Sequence, residues 1–243
     1  MKTRNPGINI AEVGVSDLTQ EGFIAAIKQL KSTGNRAQIV TLNPEFIVEA
    51  SKNSAFKNVI NNADYLTIDG IGLVIMMRLM FGKKLTRLTG VDLIHLAAEY
   101  CEKEKGRIFL LGAGEGVAEA SGMALKGQYP GIFVETDGSD PDDPNVVRHI
   151  NKVKPDFLFV AYGAPKQDLW IAENLKDLNV TIACGVGGSL DYISGEVTRA
   201  PKFLRMVGLE WLFRLILQPK RLKRIFNAVV VFPYLAIRTG KRL

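Results

Sequence analysis

The amino-acid sequence predicts an α/β fold in which helices cover both faces of a mostly parallel β-sheet, followed by a basic, amphipathic helical appendage. Three observations predict it. Short apolar runs alternate with longer helical stretches through most of the chain, as in proteins built from β-α-β units. Polar or glycine-rich turns follow five of those runs. Lys and Arg are concentrated near the carboxyl end, between bulky apolar side chains.

Each predicted strand is a short, largely apolar run, as expected of strands that are buried on both faces. These strands are Gln38–Leu42, Tyr65–Ile68, Arg107–Leu111, Phe133–Glu135, Phe157–Ala161 and Thr181–Cys184. The longer segments that follow them are predicted to be helices. These helices are Pro44–Ala55, Ile71–Met80, Val91–Lys103, Gly116–Gln128, Pro144–Val153 and Gln167–Leu178. Ligands bind beyond the carboxyl ends of strands in open α/β sheets, so the turns there are the candidate site.

The composition is that of a globular protein, with 47% apolar and 23% charged residues, and intrinsic disorder is not expected. The two cysteines, Cys101 and Cys184, do not form a Cys-x-x-Cys pair, which favours a reducing, cytoplasmic environment. The first residues contain no apolar signal-peptide core. No window reaches the ~20 apolar residues that a membrane-spanning helix needs.

Charge divides the chain into two parts. Residues 1–198 hold 20 Lys and Arg against 24 Asp and Glu, whereas residues 199–243 hold eleven against one. A break in composition near Ser194–Pro201 predicts a catalytic domain at 1–195 and an appendage at 196–243. Aromatic and aliphatic residues between the cations predict peripheral association with the anionic cytoplasmic membrane face. A nucleic-acid partner is not expected, because the excess positive charge is confined to this apolar-rich segment.

Asp69 is the first candidate for catalysis. It follows the predicted strand Tyr65–Ile68 and precedes Gly70. A carboxylate at a strand end, in a partly desolvated cleft, is suited to act as a general base. Asp is also a favoured N-cap, and a cap for the helix that follows would explain the same residue. Both roles remain open from the sequence.

Two further turns are suited to binding phosphate or sugar groups. The run from Leu111 to Gly116 places three glycines after an apolar strand, and glycines let a backbone approach phosphate closely. Val117 replaces the last glycine of a dinucleotide-binding motif, so a plain tight turn is an equal alternative. Lys166 and Gln167 follow another strand and offer donors to a diphosphate or to hydroxyl groups, unless Lys166 is simply solvated.

No metal or other cofactor is expected. Asp140 and Asp142 form the Asp-x-Asp pattern of metal-dependent sugar transferases, but they lie in a turn. A helix that begins at the next proline, with Asp143 as its cap, explains that turn. His95 and His149 stand alone in the sequence, which gives no support to a histidine metal cluster or a Ser-His-Asp triad.

The strand-end turns occur together with a set of carboxyl-terminal residues in a characteristic order. In chain order the set is Thr41-Leu-Asn43-Pro44, Asp69-Gly70-Ile-Gly72, Arg87-Leu-Thr-Gly90-Val-Asp92, Gly112 to Ala118, Gly163-Ala-Pro-Lys-Gln167, Gly185-Val-Gly-Gly188 with Asp191 and Gly195, Arg199-Ala-Pro201, and Gly208-Leu-Glu-Trp211 with Arg214, Pro219, Arg221 and Arg224. This set resembles the WecG/TagA/CpsF family of bacterial glycosyltransferases, glycosyltransferase family 26. The resemblance covers about residues 8–225, and its eight elements in register make it specific.

The resemblance implies a Rossmann-like fold and a sugar transfer with inversion, from a UDP-sugar to a polyprenyl-diphosphate-linked sugar. The sugar is N-acetylmannosamine or a related one, and the product serves cell-surface polysaccharide or teichoic acid synthesis. Asp69 matches the proposed base of the family. The other residues expected to take part in catalysis are Arg87, Gln167, Arg214, Arg221 and Arg224. The expected substrate-binding residues are Thr41, Asn43, Gly70, Gly112, Gly114, Gly116, Lys166, Gly187, Gly188 and Asp191.

The sequence departs from the family pattern at two positions. Asp168 stands where Glu is usual, and Ser139 stands where the family often has an aromatic residue. If that aromatic residue stacks on the nucleotide base, the stacking is lost here. The hypothesis is that Asp69 deprotonates the acceptor hydroxyl while arginines and backbone donors stabilise the departing diphosphate.

Two other functions remain open from the residues alone. An oxidoreductase is supported by the Gly112–Gly116 turn with Glu135 and Asp137 about 20 residues further on. A non-catalytic module that binds a lipid-diphosphate sugar would use the same turns and the same appendage. The sequence does not fix the oligomeric state, and it allows a homo-oligomer.

Overall fold

The computed structural model describes residues 7–198, 200–201, 203–204 and 209–242, with the backbone alone at Glu210, Arg214 and Arg242. The strands are β1 (Ile8–Ile10), β2 (Val13–Gly14), β3 (Ala37–Leu42), β4 (Tyr65–Ile68), β5 (Arg107–Gly112), β6 (Phe133–Asp137), β7 (Phe157–Ala161), β8 (Ile182–Gly185) and β9 (Lys241–Arg242). Six of them form a sheet in the order β4-β3-β8-β7-β5-β6, and every neighbouring pair is parallel. All six predicted strands are therefore confirmed.

The helices are α1 (Gln20–Thr33), α2 (Pro44–Ala50), α3 (Ser54–Asn62), α4 (Ile71–Phe81), α5 (Gly90–Glu104), α6 (Val117–Gln128), α7 (Val146–Val153), α8 (Lys166–Asn174), α9 (Ser189–Ile193), α10 (Glu210–Leu217), α11 (Leu222–Phe226) and α12 (Phe232–Thr239). A 3-10 turn, Pro219–Arg221, precedes α11. A π-helical turn, Asn227–Val231, joins α11 to α12. The carboxyl-terminal helical run is the name used below for residues 219–239.

Helices pack on both faces of the sheet, which confirms the predicted α/β class. Successive side chains of a strand point to opposite faces. In β7, Phe157 and Phe159 pack with residues of α1, α5 and α6, whereas Leu158 and Val160 pack with residues of α7 and α8. Both sets of side chains are buried, because the strand is covered on each side. This is why the strands read as continuous apolar runs in the sequence.

The predicted helix Pro44–Ala55 is wrong, because the chain forms two helices there, α2 and α3. The side chain of Asn53 accepts a hydrogen bond from the backbone N–H of Phe56 at 3.0 Å, which caps α3 and starts a new helix. The helix α1 was not predicted from the sequence. Thr19 caps it, since its side chain accepts a hydrogen bond from the backbone N–H of Gly22.

The predicted helix start at Pro144 is also wrong, since α7 begins at Val146. Oδ1 of Asp143 accepts a hydrogen bond from the backbone N–H of Asn145 at 2.8 Å. This local bond holds Pro144 in a turn before the helix. The N-cap position falls on Asn145, so Asp143 belongs to the turn and does not cap the helix.

The end of the chain packs against the α/β part of the protein. Phe232 and Ala236 of α12 are fully buried in the core cluster that also holds side chains of α2, α3 and α4. Beyond them, β9 pairs in antiparallel fashion with β1. The carboxyl-terminal helical run is therefore fixed to the body through its later half. In the described part of the chain, no helix has both the length and the apolarity needed to span a membrane.

Candidate functional site

A cavity of about 510 Å³ lies at the carboxyl ends of β3, β4, β7 and β8. The turns after those four strands form its floor, and the helix α4 and the carboxyl-terminal helical run form much of its wall. Ten of the residues predicted for the site line this cavity. They are Thr41, Asn43, Asp69, Gly70, Arg87, Gln167, Gly187, Gly188, Arg221 and Arg224. The structure thus brings together residues from both ends of the sequence.

The backbone of Asp69 is held at the cavity floor by hydrogen bonds through its N–H and its carbonyl. Its backbone N–H donates to the carbonyl of Leu42 at 2.9 Å, and its carbonyl accepts from Nε of Arg87 at 2.9 Å. The N-cap position of α4 is Gly70, so the capping alternative for Asp69 is wrong. A Cβ atom at Gly70 would meet Cδ of Pro44 at 2.3 Å, so this close approach of two chain segments requires glycine.

Thr41 and Asn43 flank the next turn of the floor. The hydroxyl of Thr41 donates to the carbonyl of Gly185 at 3.0 Å, which ties β3 to β8. Oδ1 of Asn43 accepts from the backbone N–H of Phe46 at 3.0 Å and caps α2. With Oδ1 bound in this way, Nδ2 is the group that Asn43 offers to a ligand.

Gln167 is almost fully buried, with 1% of its surface exposed, yet it contributes to the cavity lining. Its Oε1 accepts from the backbone N–H of Gly187 at 2.9 Å. A Cβ atom at Gly185 would lie 2.6 Å from Nε2 of Gln167. The Gly185–Gly188 turn and the side chain of Gln167 are therefore packed as one unit, and the missing side chain at Gly185 makes the room for it.

Two arginines of the carboxyl-terminal helical run, Arg221 and Arg224, line the cavity. Nε of Arg224 forms an ion pair with Oε2 of Glu45 at 2.6 Å, and Glu45 itself lines the cavity. Nε of Arg221 donates a hydrogen bond to Oε1 of Gln218. Arg214 lies on α10, and its side chain is outside the described part of the structure. Arg199 and Gly208, which belong to the family resemblance, also lie outside the described residues.

Five predicted residues whose side chains the structure describes are not among those that line the cavity, namely Gly112, Gly114, Gly116, Lys166 and Asp191. The Gly112–Gly116 turn follows β5, one strand beyond the cavity, and Gly112 packs against the ring of Tyr162. The helix α9 connects the cavity to the region of the glycine turn. It carries the cavity residue Ser189 at one end and also Asp191. The α6 helix that follows the glycine turn contacts α9, where Oγ of Ser121 donates to the carbonyl of Leu190 at 3.0 Å.

Lys166 lies 4.0 Å from Oδ2 of Asp142 and is more than half exposed. This position agrees with the solvated alternative for the lysine better than with a place in the cavity. Asp142 is also exposed, in the turn before α7. Within the described residues, no group of three or more His, Cys, Asp or Glu side chains is arranged to hold a metal ion.

Each of the two histidines has a partner that the sequence does not indicate. Nδ1 of His149 lies 2.7 Å from Oδ2 of Asp137, and its Nε2 lies 3.2 Å from Oε1 of Glu135. Burial of Asp137 opposes ionisation, but hydrogen bonds from Ser139 and His149 lower the pKa of its carboxyl below the ordinary value. Nδ1 of His95 contacts the hydroxyl of Tyr129 at 3.1 Å. Both partnerships join residues that are distant in sequence, and neither histidine lines the cavity.

Sequence reasoning missed the apolar side of the cavity. Ile71, Ile75 and Met76 of α4 line it, as do Ile225 and Val229. The apolar run Ile71–Phe81 resembles a buried helix in the sequence, yet Ile75 is half exposed. Glu45 was missed as well, although an acidic residue in the first turn of a helix is a recognisable signal.

A parallel sheet with a cavity at the carboxyl ends of its strands is the arrangement in which open α/β proteins bind their ligands, nucleotides among them. The family model described as "Glycosyl transferase WecG/TagA/CpsF family" matches residues 8–243, so the chain belongs to that family and is a glycosyltransferase. The two alternative functions considered from the sequence, an oxidoreductase and a non-catalytic binding module, are therefore wrong. In this family the carboxyl-terminal run and the sheet are parts of one matched unit.

Curated relatives from Staphylococcus aureus match nearly the whole chain. Those of strains NCTC 8325 and COL are each 32% identical over 240 residues, which cover 97% of this chain and 94% of the relative. The relative of strain MRSA252 is 31% identical over the same lengths. Each is named N-acetylglucosaminyldiphosphoundecaprenol N-acetyl-beta-D-mannosaminyltransferase.

Proposed function

We propose that this chain transfers N-acetylmannosamine, with inversion, from a UDP-sugar to a polyprenyl-diphosphate-linked N-acetylglucosamine in cell-surface polysaccharide or teichoic acid synthesis. The observation that carries the proposal is the meeting of Asp69, Gln167 and Arg224 in one cavity. The name of the Staphylococcus aureus relatives supports the choice of both sugars and of the lipid diphosphate.

In the proposed reaction, the carboxylate of Asp69 removes the proton of an acceptor hydroxyl. The hydroxyl oxygen attacks the anomeric carbon of the donor, and the bond from that carbon to the diphosphate oxygen breaks. UDP leaves with the electron pair. Arg221 and Arg224 offset the negative charge that develops on the leaving diphosphate, because guanidinium groups match phosphate geometry. Asp69 and both arginines line the same cavity.

We place the nucleotide of the donor on the α9 side of the cavity. That side carries Gly187 and Gly188 at the cavity floor and Asp191 on α9, and the Gly112–Gly116 turn lies beyond it. Gly112 and Gly116 have positive φ values, 82° and 72°, and turns with such residues can present backbone N–H groups to an anionic ligand. The acceptor then enters from the opposite side, where the cavity wall is apolar.

The apolar wall fits the first isoprene units of the acceptor. Ile71 and Ile75 of α4 line the cavity together with Ile225 and Val229 of the carboxyl-terminal helical run. A polyprenyl chain that leaves the diphosphate along this wall stays out of water until it reaches the membrane. The arginines lie on the same run, so one helix contacts both the charged and the apolar parts of the substrate.

We propose peripheral attachment to the inner face of the cell membrane through one exposed stripe of the carboxyl-terminal helical run. The membrane stripe consists of Phe226, Val230, Tyr234 and Ile237. These side chains are between 50% and 70% exposed and recur every three or four residues, so they share a helix face. Lys220, Lys223 and Arg238 lie on the same run and suit anionic headgroups.

Replacing Phe226 and Ile237 with Ser is expected to weaken binding to vesicles of phosphatidylglycerol and phosphatidylcholine about tenfold or more, because each lost side chain removes apolar burial in the bilayer interface. Vesicle co-sedimentation measures the effect. Met123→Ser is the control, since Met123 is 69% exposed on α6, outside the stripe. Equal losses for the stripe variant and the control would contradict the proposed attachment.

The proposed reaction is tested by UDP release from the purified full chain. We expect release when UDP-N-acetylmannosamine and a short polyprenyl-diphosphate-N-acetylglucosamine are both present, and none when either is omitted. Transfer is expected to persist in EDTA, because arginines supply the positive charge in this proposal. Release that does not depend on the acceptor, or activity with UDP-N-acetylglucosamine alone as donor, would contradict it. Loss of activity in EDTA would contradict the metal-free mechanism.

A further inference from the structure

Behind the cavity floor lies a carboxyl group that the mechanism above does not use. Asp168 is fully buried, with no exposed surface. Neither of its oxygens accepts a hydrogen bond of standard geometry, and the amide of Gln167 and its own backbone N–H are the donors close enough to lower the pKa of its carboxyl. Burying a carboxylate without partners is costly, so proteins rarely keep one without a role.

The reason that Asp168 lacks its usual partner is local. It stands at the third position of α8, where a carboxylate normally accepts a hydrogen bond from the backbone N–H of the N-cap residue. Here the N-cap is Pro165, which has no N–H. The carboxyl group is left to interact with whatever else is packed around the start of α8.

What is packed there is the Gln167 unit of the cavity floor. A Cβ atom at Gly185 would lie 2.6 Å from Oδ1 of Asp168 and 2.6 Å from Nε2 of Gln167, so both groups converge on the same point. Oε1 of the same Gln167 amide accepts from the backbone N–H of Gly187. The carboxyl group of Asp168 thus lies beside the amide of Gln167, and that amide bonds to the Gly187 turn. These three groups connect the protein interior to the cavity.

We propose that Asp168 is a positioning residue, whose ionised carboxylate binds Nε2 of Gln167. This contact keeps Oε1 of the same amide bonded to the N–H of Gly187, and so it fixes the turn at the donor side of the cavity floor. The proposal rests on the proposed function, because it concerns the same cavity. Protonation of Asp168 turns an acceptor into a donor, which removes the hold on the amide. Asp168 acts through Gln167 and does not touch the substrate.

The groups that face Asp168 do not supply a compensating charge. The amide of Gln38 on β3 donates from Nε2 to the carbonyl of Asp168 at 2.9 Å. The titratable group of β8 is the thiol of Cys184, which interacts electrostatically with Asp168 but packs in the core on the other face of the sheet. The strand β7 carries no titratable residue, and the charged residue of α3, Lys57, pairs with Glu12. Burial therefore dominates and raises the pKa of Asp168 to about 7, against the lowering effects of the Gln167 amide and its own backbone N–H.

The test is the pH profile of kcat/KM for UDP release between pH 5.5 and about 8.5, a window set by the raised pKa. A folded-state pKa near 7 means that the carboxylate form becomes populated as the pH rises through neutrality. We expect wild-type kcat/KM to rise several-fold across this window. Asp168→Asn cannot titrate and is expected to show no such rise, whereas Asp168→Glu is expected to retain it. Asp177→Asn, an exposed carboxyl just beyond α8, is the control.

A second measurement does not require activity. The side-chain amide of Gln167, observed by ¹⁵N NMR, is expected to titrate with a midpoint near 7 in the wild type and not in Asp168→Asn. The exposed Gln29 is the internal reference. An unchanged pH profile in an active Asp168→Asn, or an amide signal that titrates equally in both proteins, overturns the inference. A wild type that releases no UDP but shows the amide titration refutes the proposed reaction and leaves the positioning role standing.

Discussion

Replacing Asp69 with Asn is expected to lower kcat about 10²–10⁴-fold, the usual contribution of a positioned general base. The amide keeps the size of the side chain but cannot take up the proton of the acceptor hydroxyl. The backbone of residue 69 is held by Leu42 and Arg87 through its N–H and carbonyl, which the substitution leaves intact. The fold and the binding of UDP should therefore be unchanged. Steady-state UDP release and calorimetric titration with UDP measure the two effects.

Asp142→Asn is the matched control for this experiment, because Asp142 is an exposed carboxyl in the turn before α7. It should leave kcat at the wild-type value. Near-normal turnover in Asp69→Asn would remove Asp69 from the role of base. Loss of UDP binding together with turnover would instead assign Asp69 to the donor site.

Replacing both Arg221 and Arg224 with Ala is expected to lower kcat about 10²–10⁴-fold. Hydrogen bonds to charged groups contribute about 1.5–3 kcal/mol each, and every 1.4 kcal/mol corresponds to a factor of ten. The effect should fall on kcat, because the charge on the leaving diphosphate develops in the transition state. Separate kcat and KM values for donor and acceptor measure it.

Two further variants sharpen the interpretation. Arg224→Lys keeps the charge but not the planar guanidinium, so it should recover a part of the lost activity. Glu45→Gln removes the anion that pairs with Arg224 and should leave the arginine available to a diphosphate. If the double variant raises only the KM for the lipid-linked acceptor, the arginines anchor the acceptor diphosphate and do not stabilise the leaving group.

The sheet and most of the site were predictable because they depend on local sequence. Buried parallel strands are continuous apolar runs, and each site turn directly follows one of them. Thr41 and Asn43 follow β3, Asp69 follows β4, and Gln167 follows β7 by a few residues. Once the strands are parallel and adjacent, these turns must share one edge.

The missed features depend on contacts between distant residues. Arg224 and Glu45 are 179 positions apart, and no local signal pairs them. The isolation of Asp168 depends on the proline before it and on the packing of α8 against the sheet. The exposure of Ile75 depends on how far the carboxyl-terminal helical run covers α4.

The prediction of two domains at 1–195 and 196–243 rests on composition, and the burial of Phe232 shows that the second part shares a core with the first.

The π-helical turn at Asn227–Val231 fixes the spacing between the charged and the buried ends of its helix. The backbone N–H of Phe232 bonds to the carbonyl of Asn227, five residues back, where an α-helix would bond four residues back. Because a π-helical turn holds one residue more than an α-helical turn, loss of one residue here would restore ordinary winding and leave Arg224 and Phe232 close to their present faces of the helix. Loss of one residue between Phe232 and Ala236, where the winding is α-helical, would instead rotate the rest of the helix by about 100° and turn the fully buried Ala236 out of the interior. Single-residue deletions should therefore be tolerated better within Asn227–Val231 than within α12.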